Sequence, residues 1–347
     1  MKVIVNDAKA VAAKVTSRIR KKDSHWSNYC LDLSLEAMLE YGAVSGEKEY
    51  IDYVQSVMTR RKWKPEKVIR YKGQPFCHVN YTFALVTQND AYLKPFVSES
   101  EQFYKEVPKS VDGLALHRNK SVENGAIIID FIQDYASRMA QTGKLTGEEK
   151  YYDECMEQFR LYRKVLRNSK TGLWSNGRGW LEDTSKLSPG AWSRGHGWLI
   201  RGMVDSLCAL PEDSKHHREL AGYLLELSDA LIEVQDEDGM WNQLLHRPFA
   251  DSYADASGTG LICYNFCKAI AHGYLPREKY QKSALKAFAG LQKKVTDEGI
   301  ILNVCPGPGP LRDEQEYVNN PGYTEDATGH GPMAVIFACT GILMISK

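Results

Sequence analysis

Neither sign of charge is in surplus in this chain. Against 44 Lys and Arg stand 44 Asp and Glu over 347 residues, a formal net charge of zero. A nucleic-acid binder needs a basic face to neutralise phosphates, so no nucleic-acid partner is expected. Long apolar runs are missing too. No stretch approaches the ~18 apolar residues of a membrane span, so no membrane partner is expected. Met1 to Lys22 mixes charges with small residues and has no apolar run of the kind a secretion signal carries. The eight cysteines include no Cys-x-x-Cys pair, and Cys263 and Cys267 fall on one helix face, poor geometry for a disulfide or zinc. Buried free thiols in a reducing, cytoplasmic compartment are expected, or a periplasmic location if a leader was removed. No set of His, Cys and Asp has metal-ligand spacing, so neither metal nor cofactor is expected. With no strand-rich segment or long linker, residues 1–347 read as one domain. Oligomeric state is not legible.

Aromatics are abundant, with 19 Tyr and 7 Trp. They suit sugar stacking and large helical cores alike. The densest stretch is Trp192-Ser193-Arg194-Gly195-His196-Gly197-Trp198, which leads into an apolar helical run. Flat faces, a guanidinium fork and close-approach glycines suit the rim of a pocket for a ringed, anionic ligand. The competing role is a helix entry whose tryptophans are core.

The chain repeats itself. Asp112-Gly113-Leu114, Thr171-Gly172-Leu173-Trp174, Asp238-Gly239-Met240-Trp241 and Glu298-Gly299-Ile300 each follow a helical pattern, with glycine where a helix C-cap is expected. Gly46-Glu47-Lys48-Glu49-Tyr50 and Gly147-Glu148-Glu149-Lys150-Tyr151 each open a new helix. Periodicity between these marks predicts helices near 6–20, 26–43, 48–62, 75–88, 94–106, 122–141, 148–167, 192–210, 214–236, 255–273, 277–296 and 327–346. They alternate between charged, amphipathic helices and helices rich in small and apolar residues. Peripheral and buried helices in alternation imply an all-α (α/α)6 toroid, with an open solenoid as the competing architecture.

The entries of the buried helices hold the polar residues: Trp26 and Asn28; Cys77, His78 and Asn80; Glu123 and Asn124; Trp192, Arg194 and His196; Asp255, Ser257 and Thr259; His330. Parallel inner helices would gather them at one mouth, where helix N-termini favour anions. Asp130 lies deeper, between Ile127-Ile128-Ile129 and Phe131. An acid in such surroundings suggests function, the competing role being a helix-interior Asp facing an arginine.

The blocks at Thr171–Trp174, Trp192–Trp198 and Gln235–Trp241, with Asp255-Ala256-Ser257-Gly258-Thr259-Gly260, Asn303–Gly307 and Gly329-His330-Gly331-Pro332, resemble the unsaturated glucuronyl and rhamnogalacturonyl hydrolases. These are glycoside hydrolase families 88 and 105, with the likeness closer to 105. The resemblance implies an (α/α)6 barrel and an oligosaccharide substrate ending in a 4,5-unsaturated uronate, as polysaccharide lyases leave. It places the catalytic acid at Asp130, ahead of Gly143-Lys144-Leu145-Thr146-Gly147. It assigns Trp192, Arg194 and Trp198 to ring stacking and carboxylate binding. His78, Asn80, Asn124, His196, Asp255, Ser257 and His330 complete the expected substrate-binding set. The chain departs from the pattern at Phe131, where a second acid is usual, near His78 and Asn80, where an aspartate is usual, and at Asn176 and His196.

The implied chemistry needs one acid. The substrate ring is a vinyl ether; protonation at C4 develops oxocarbenium character at C5, where water adds. Each candidate has a structural competitor. The tryptophans and histidines could be core, His78, Asn80 and Asn124 could cap helices, and Asp255 could serve as an N-cap. A toroid acting on a saturated glycoside, a sugar epimerase and a non-catalytic sugar binder are the alternative functions.

Overall fold

The computed structural model describes residues 2–22, 29–60, 78–116, 126–179, 183, 185–246, 252–325 and 329–347. Among them are twelve long helices and one short one. They are α1 (Lys2–Lys22), α2 (Tyr29–Ser45), α3 (Lys48–Arg60), α4 (Val79–Thr87), α5 (Leu93–Glu106), α6 (Phe131–Thr146), α7 (Glu149–Leu166), α8 (Ser193–Leu207), α9 (Lys215–Glu233), α10 (Ala256–Ala271), α11 (Arg277–Gln292), α12 (Glu314–Val318) and α13 (His330–Ile345). The fold is an (α/α)6 toroid. Helices α2, α4, α6, α8, α10 and α13 form the inner ring. The last inner helix packs on the first, α13 against α2, and α1 lies outside that seam.

Residue pattern decides which ring a helix joins. Outer α9 buries one stripe, His216, Leu220, Leu224, Leu227, Ser228 and Leu231, at helical spacing. Inner α8 and α10 are buried nearly throughout. Six helices can crowd around one axis only where small residues let backbones approach. A Cβ at Gly202 would sit 2.9 Å from Gln133 Cα of α6, and one at Gly260 would sit 2.6 Å from the Ala334 carbonyl oxygen of α13. Such separations exclude any side chain there.

The two ends of the toroid are connected differently. From inner to outer helix the chain turns tightly. Gly46 and Gly147 adopt left-handed conformations and close α2 and α6. The expected turn at Gly143–Gly147 is thus the last helical turn and its cap. From outer to inner helix the chain makes long excursions. Gly113, Gly172, Gly239 and Gly299 are not the helix C-caps expected from sequence. Each lies beyond the end of its helix at the left-handed position of a tight hairpin, closed by bonds such as Ser110 N–H to Leu114 O (2.9 Å) and Asp236 N–H to Met240 O (3.0 Å).

Short strands stiffen these excursions: β1 (Ile127–Ile128), β2 (Gly177–Arg178), β3 (Leu187–Ser188), β4 (Ile301–Val304) and β5 (Tyr323–Glu325). They pair antiparallel as β1–β2–β3 and β4–β5. The helix expected over 122–141 therefore begins only at Phe131. The β-branched pair Ile127-Ile128 takes extended backbone instead and pairs with Arg178 and Gly177, and Ile129 N–H, in the turn that follows, reaches Asn176 O at 2.9 Å.

Candidate active site

Five inner helices begin at the same end, capped by His78, Asp130, Trp192, Asp255 and Gly329. Contacts join neighbouring entries, Ser193 Oγ of α8 to Asp255 (2.9 Å) and His78 to Asp134 of α6 (3.5 Å). Two of the caps are acids that behave differently. Asp255 is a working cap, accepting from Ser257 N–H and Gly258 N–H at 2.9 Å each. It also accepts from Ser257 Oγ (2.7 Å), Ser193 Oγ (2.9 Å) and Cys305 N–H (3.1 Å). Its carboxylate is saturated, which holds α8, α10 and the loop after β4 together. Asp130 makes no side-chain capping bond, and its backbone is already helical. It is 8% exposed. An acid at an N-cap that forgoes the cap is costly to retain, which points to chemistry.

One turn below Asp130, Asp134 is fully buried. Burial pushes its carboxyl well above the usual range, against the pull of Arg138; Glu99 and Asp130 push the same way as burial. His78 Nε2 lies 3.5 Å from Asp134 Oδ1. Burial, reinforced by Arg138 and Arg201, holds His78 well below the ordinary histidine range, so its ring is neutral. Asn80, in the first turn of α4, is half-buried. Asn124, with Trp26, Asn28, Cys77 and Glu123, lies outside the described residues.

Across the mouth, Arg194 lies over the Trp192 ring at 4.8 Å. Its Nη1 donates to Ser257 Oγ (3.1 Å) and to the Cys305 carbonyl. A Cβ at Gly307 would come within 2.7 Å of Arg194 Nη2, so glycine there makes room for the guanidinium. Ser257 relays between Asp255 and Arg194. His330 is half-buried at the start of α13; burial, with Arg194 nearby, keeps it neutral.

Three residues expected to face the ligand are placed elsewhere by the fold. His196 is fully buried, and both ring nitrogens are used. Nδ1 bonds to Trp192 O (2.8 Å), and Nε2 accepts from Trp174 N–H (2.9 Å). Burial lowers its pKa to about 4, and its neutral form ties the Trp192 entry to the Gly172 hairpin. Trp198 is core, with its ring near His330 and Arg201. Trp192 is buried among Leu244, Cys305 and Tyr317, donating its indole N–H to Cys305 Sγ (3.2 Å). Neither tryptophan presents a free face for ring stacking. The six-residue spacing is explained by packing on both sides of the α8 entry.

Sequence reasoning missed the polar clamp under the rim. Tyr317 of α12 bonds to Ser188 Oγ and accepts from Asn176 Nδ2 (3.0 Å) and Leu311 N–H (3.2 Å). It also missed a buried ion network toward the far end. Arg201 pairs with Glu36 (2.7 Å) and Asp205 (3.3 Å), and Lys268 with Asp205 (2.7 Å). Despite burial, Lys268 and Arg201 hold Asp205 below the usual carboxylate range. Beside this network lies a cavity of about 230 Å³ lined by Glu36, Glu40, Gln141, Lys144, Asp205 and Lys268. Glu149, Asp153 and His216 also come together, between α7 and α9, with Arg160 against the imidazole.

A closed double ring of six inner and six outer helices is the (α/α)6 toroid architecture. The chain belongs to Glycosyl Hydrolase Family 88, whose model matches residues 3–345. Among curated relatives, it is 22% identical to the unsaturated rhamnogalacturonyl hydrolase YesR of Bacillus subtilis, over 93% of this chain and 91% of that protein. It is 29% identical to the unsaturated 3S-rhamnoglycuronyl hydrolase of Formosa agariphila, over 51% of this chain and only 48% of that protein. A solved structure described as a possible member of family 105, from Salmonella enterica, superposes with a TM-score of 0.81 at 24% identity, covering 99% of this chain and 95% of that one. Among the described residues, no helix is long and apolar enough to cross a membrane, and seven cysteines are free thiols, six of them buried.

Proposed function

We propose that the protein removes a 4,5-unsaturated uronic acid from the non-reducing end of lyase-generated oligosaccharides. Family membership and the names of its relatives support this substrate class. The observation that carries the chemistry is the contrast between the two capping acids. Asp255 is consumed by five donors, whereas Asp130 forgoes its cap. Ordinary glycosidases need two carboxyl groups across the scissile bond. Hydration of a vinyl ether needs one. Asp130 donates a proton to C4, positive charge develops at C5 and the ring oxygen, and water adds at C5 while returning a proton to Asp130. The hemiketal then opens and releases the aglycone. The helix N-termini favour the uronate carboxylate, with Arg194 and His330, at the α8 and α13 entries, as the candidates to bind it.

The conjugated double bond absorbs in the ultraviolet, and hydration abolishes that band. Incubation with lyase-made rhamnogalacturonan, ulvan or glycosaminoglycan fragments should bleach at least one of them. Unchanged absorbance with all three classes rejects this reading.

A further inference from the structure

Asp134 is set apart from the other buried carboxylates of the toroid. Asp205 and Glu36 each have a cation within 2.7 Å. Asp134 has His78 Nε2 at 3.5 Å and Arg138 Nη2 at 3.7 Å, both too long for well-formed hydrogen bonds. Arg138 is shared with Glu99 of α5 (3.4 Å) and lies over the Phe96 ring at 4.8 Å. Among the described residues neither ring nitrogen of His78 has a hydrogen-bond partner of good geometry, and the ring meets Phe96 edge-on. A buried acid and a buried imidazole facing each other with so little else satisfied are costly to a fold that needs neither.

Position says what they serve. Asp130 and Asp134 are four residues apart at the start of α6, so one side chain stands above the other. Two carboxyl groups so placed resist ionising together and titrate as a pair. The charged groups facing Asp134 are His78 from α4, Glu99 from α5, and Asp130 and Arg138 from its own helix. Arg201 and Asp205 of α8 act on His78. The two arginines oppose protonation of the ring, so His78 offers a neutral N–H.

We propose that Asp134 and His78 are positioning residues for Asp130, a buried carboxyl–imidazole pair one helical turn below the mouth that keeps the catalytic proton on Asp130. Burial resists ionisation of Asp134, whereas Arg138 and the His78 N–H favour it; in the reactive form these two groups hold its charge, which opposes loss of the proton from Asp130. Asp130 gives that proton to C4 and regains one from the added water; Asp134 and His78 touch no substrate atom.

This rests on the proposed role of Asp130. The test is the pH dependence of kcat/KM, followed by bleaching of a lyase-made unsaturated disaccharide. Asp134→Asn should move the basic limb about one pH unit lower and cut kcat near neutrality about tenfold, with KM changed less than about twofold. His78→Phe should do the same from the α4 side, and His78→Gln, which keeps an N–H donor, should restore the parental profile. Profiles of Asp134→Asn and His78→Phe that superimpose on the parent, or fall equally at every pH, overturn the proposal. Circular dichroism and a cooperative melt establish that each variant folds; should Asp134→Asn not fold, the His78 pair decides by the same two outcomes. Turnover surviving in Asp130→Asn would instead reject the assignment of the acid itself.

Discussion

The two ends of this toroid use buried charge in opposite ways. From Glu36, which accepts from the His78 backbone N–H (3.2 Å), toward the far end, Arg201, Lys268, Glu36, Glu40 and Asp205 form a network in which every charge has a partner of opposite sign. At the mouth, Asp134 and His78 are as deeply buried but face each other across a gap, and Asp130 forgoes the cap its position offers. Paired burial locks inner helices together. Looser pairing, as between Asp134, His78 and Arg138, leaves proton affinities shifted by burial. The connections follow the same division, with tight turns at the far end and long, strand-braced excursions at the mouth.

The largest effect that tests this contrast is Asp130→Asn. It should cut kcat on an unsaturated uronyl disaccharide by about 10³-fold or more, roughly 4 kcal/mol of barrier, with the melting temperature unchanged or raised. Stability falling with activity would make Asp130 structural and erase the distinction from Asp255. At the far end, Arg201→Leu should destabilise by about 3–5 kcal/mol in urea titrations, because Glu36 and Asp205 lose their shared cation in a dry site. A shift below about 1 kcal/mol would mean that water already reaches the network.

A third test uses pH. The folded-state pKa of His196 is lowered to about 4. Between about 6.5 and 4 the unfolded chain takes up a proton that the folded chain refuses, so this stabilisation is full above about 6.5 and lost as pH falls. The urea-stability advantage of the parent over His196→Gln should shrink by roughly 3 kcal/mol between pH 7 and 4. A constant advantage would mean that His196 is protonated in the folded state. The smallest effect is Ser214→Ala, which removes the α9 cap formed by Ser214 Oγ and His217 N–H (3.0 Å). It should cost about 1 kcal/mol by thermal melting and leave kcat unchanged.

Much of the fold was legible. Small residues at 3.6-residue spacing mark helices that must approach closely, and charged stripes mark helices that face water. The alternation of the two identifies the double ring. The four glycine marks look like helix caps in the sequence, because a left-handed glycine serves equally in a cap and in a hairpin turn. The candidate site is legible as far as local signals reach. Asp130 stood out by its apolar flanks, and the inner-helix entries by their polarity. Trp192, Trp198 and His196 were drawn toward the ligand because nothing in their spacing tells a rim from a rim's foundation.

The sequence by itself determined the toroid, the end at which its polar residues gather and the acid that breaks the apolar run, since periodicity and composition are local properties. Only the tertiary structure decided which of those residues are spent. Asp255 meets donors from three segments, His196 bridges two backbone groups, and Asp134 faces His78 from another helix. Such pairings join positions tens of residues apart, and hydrogen bonds at that separation leave no periodicity for a sequence to display.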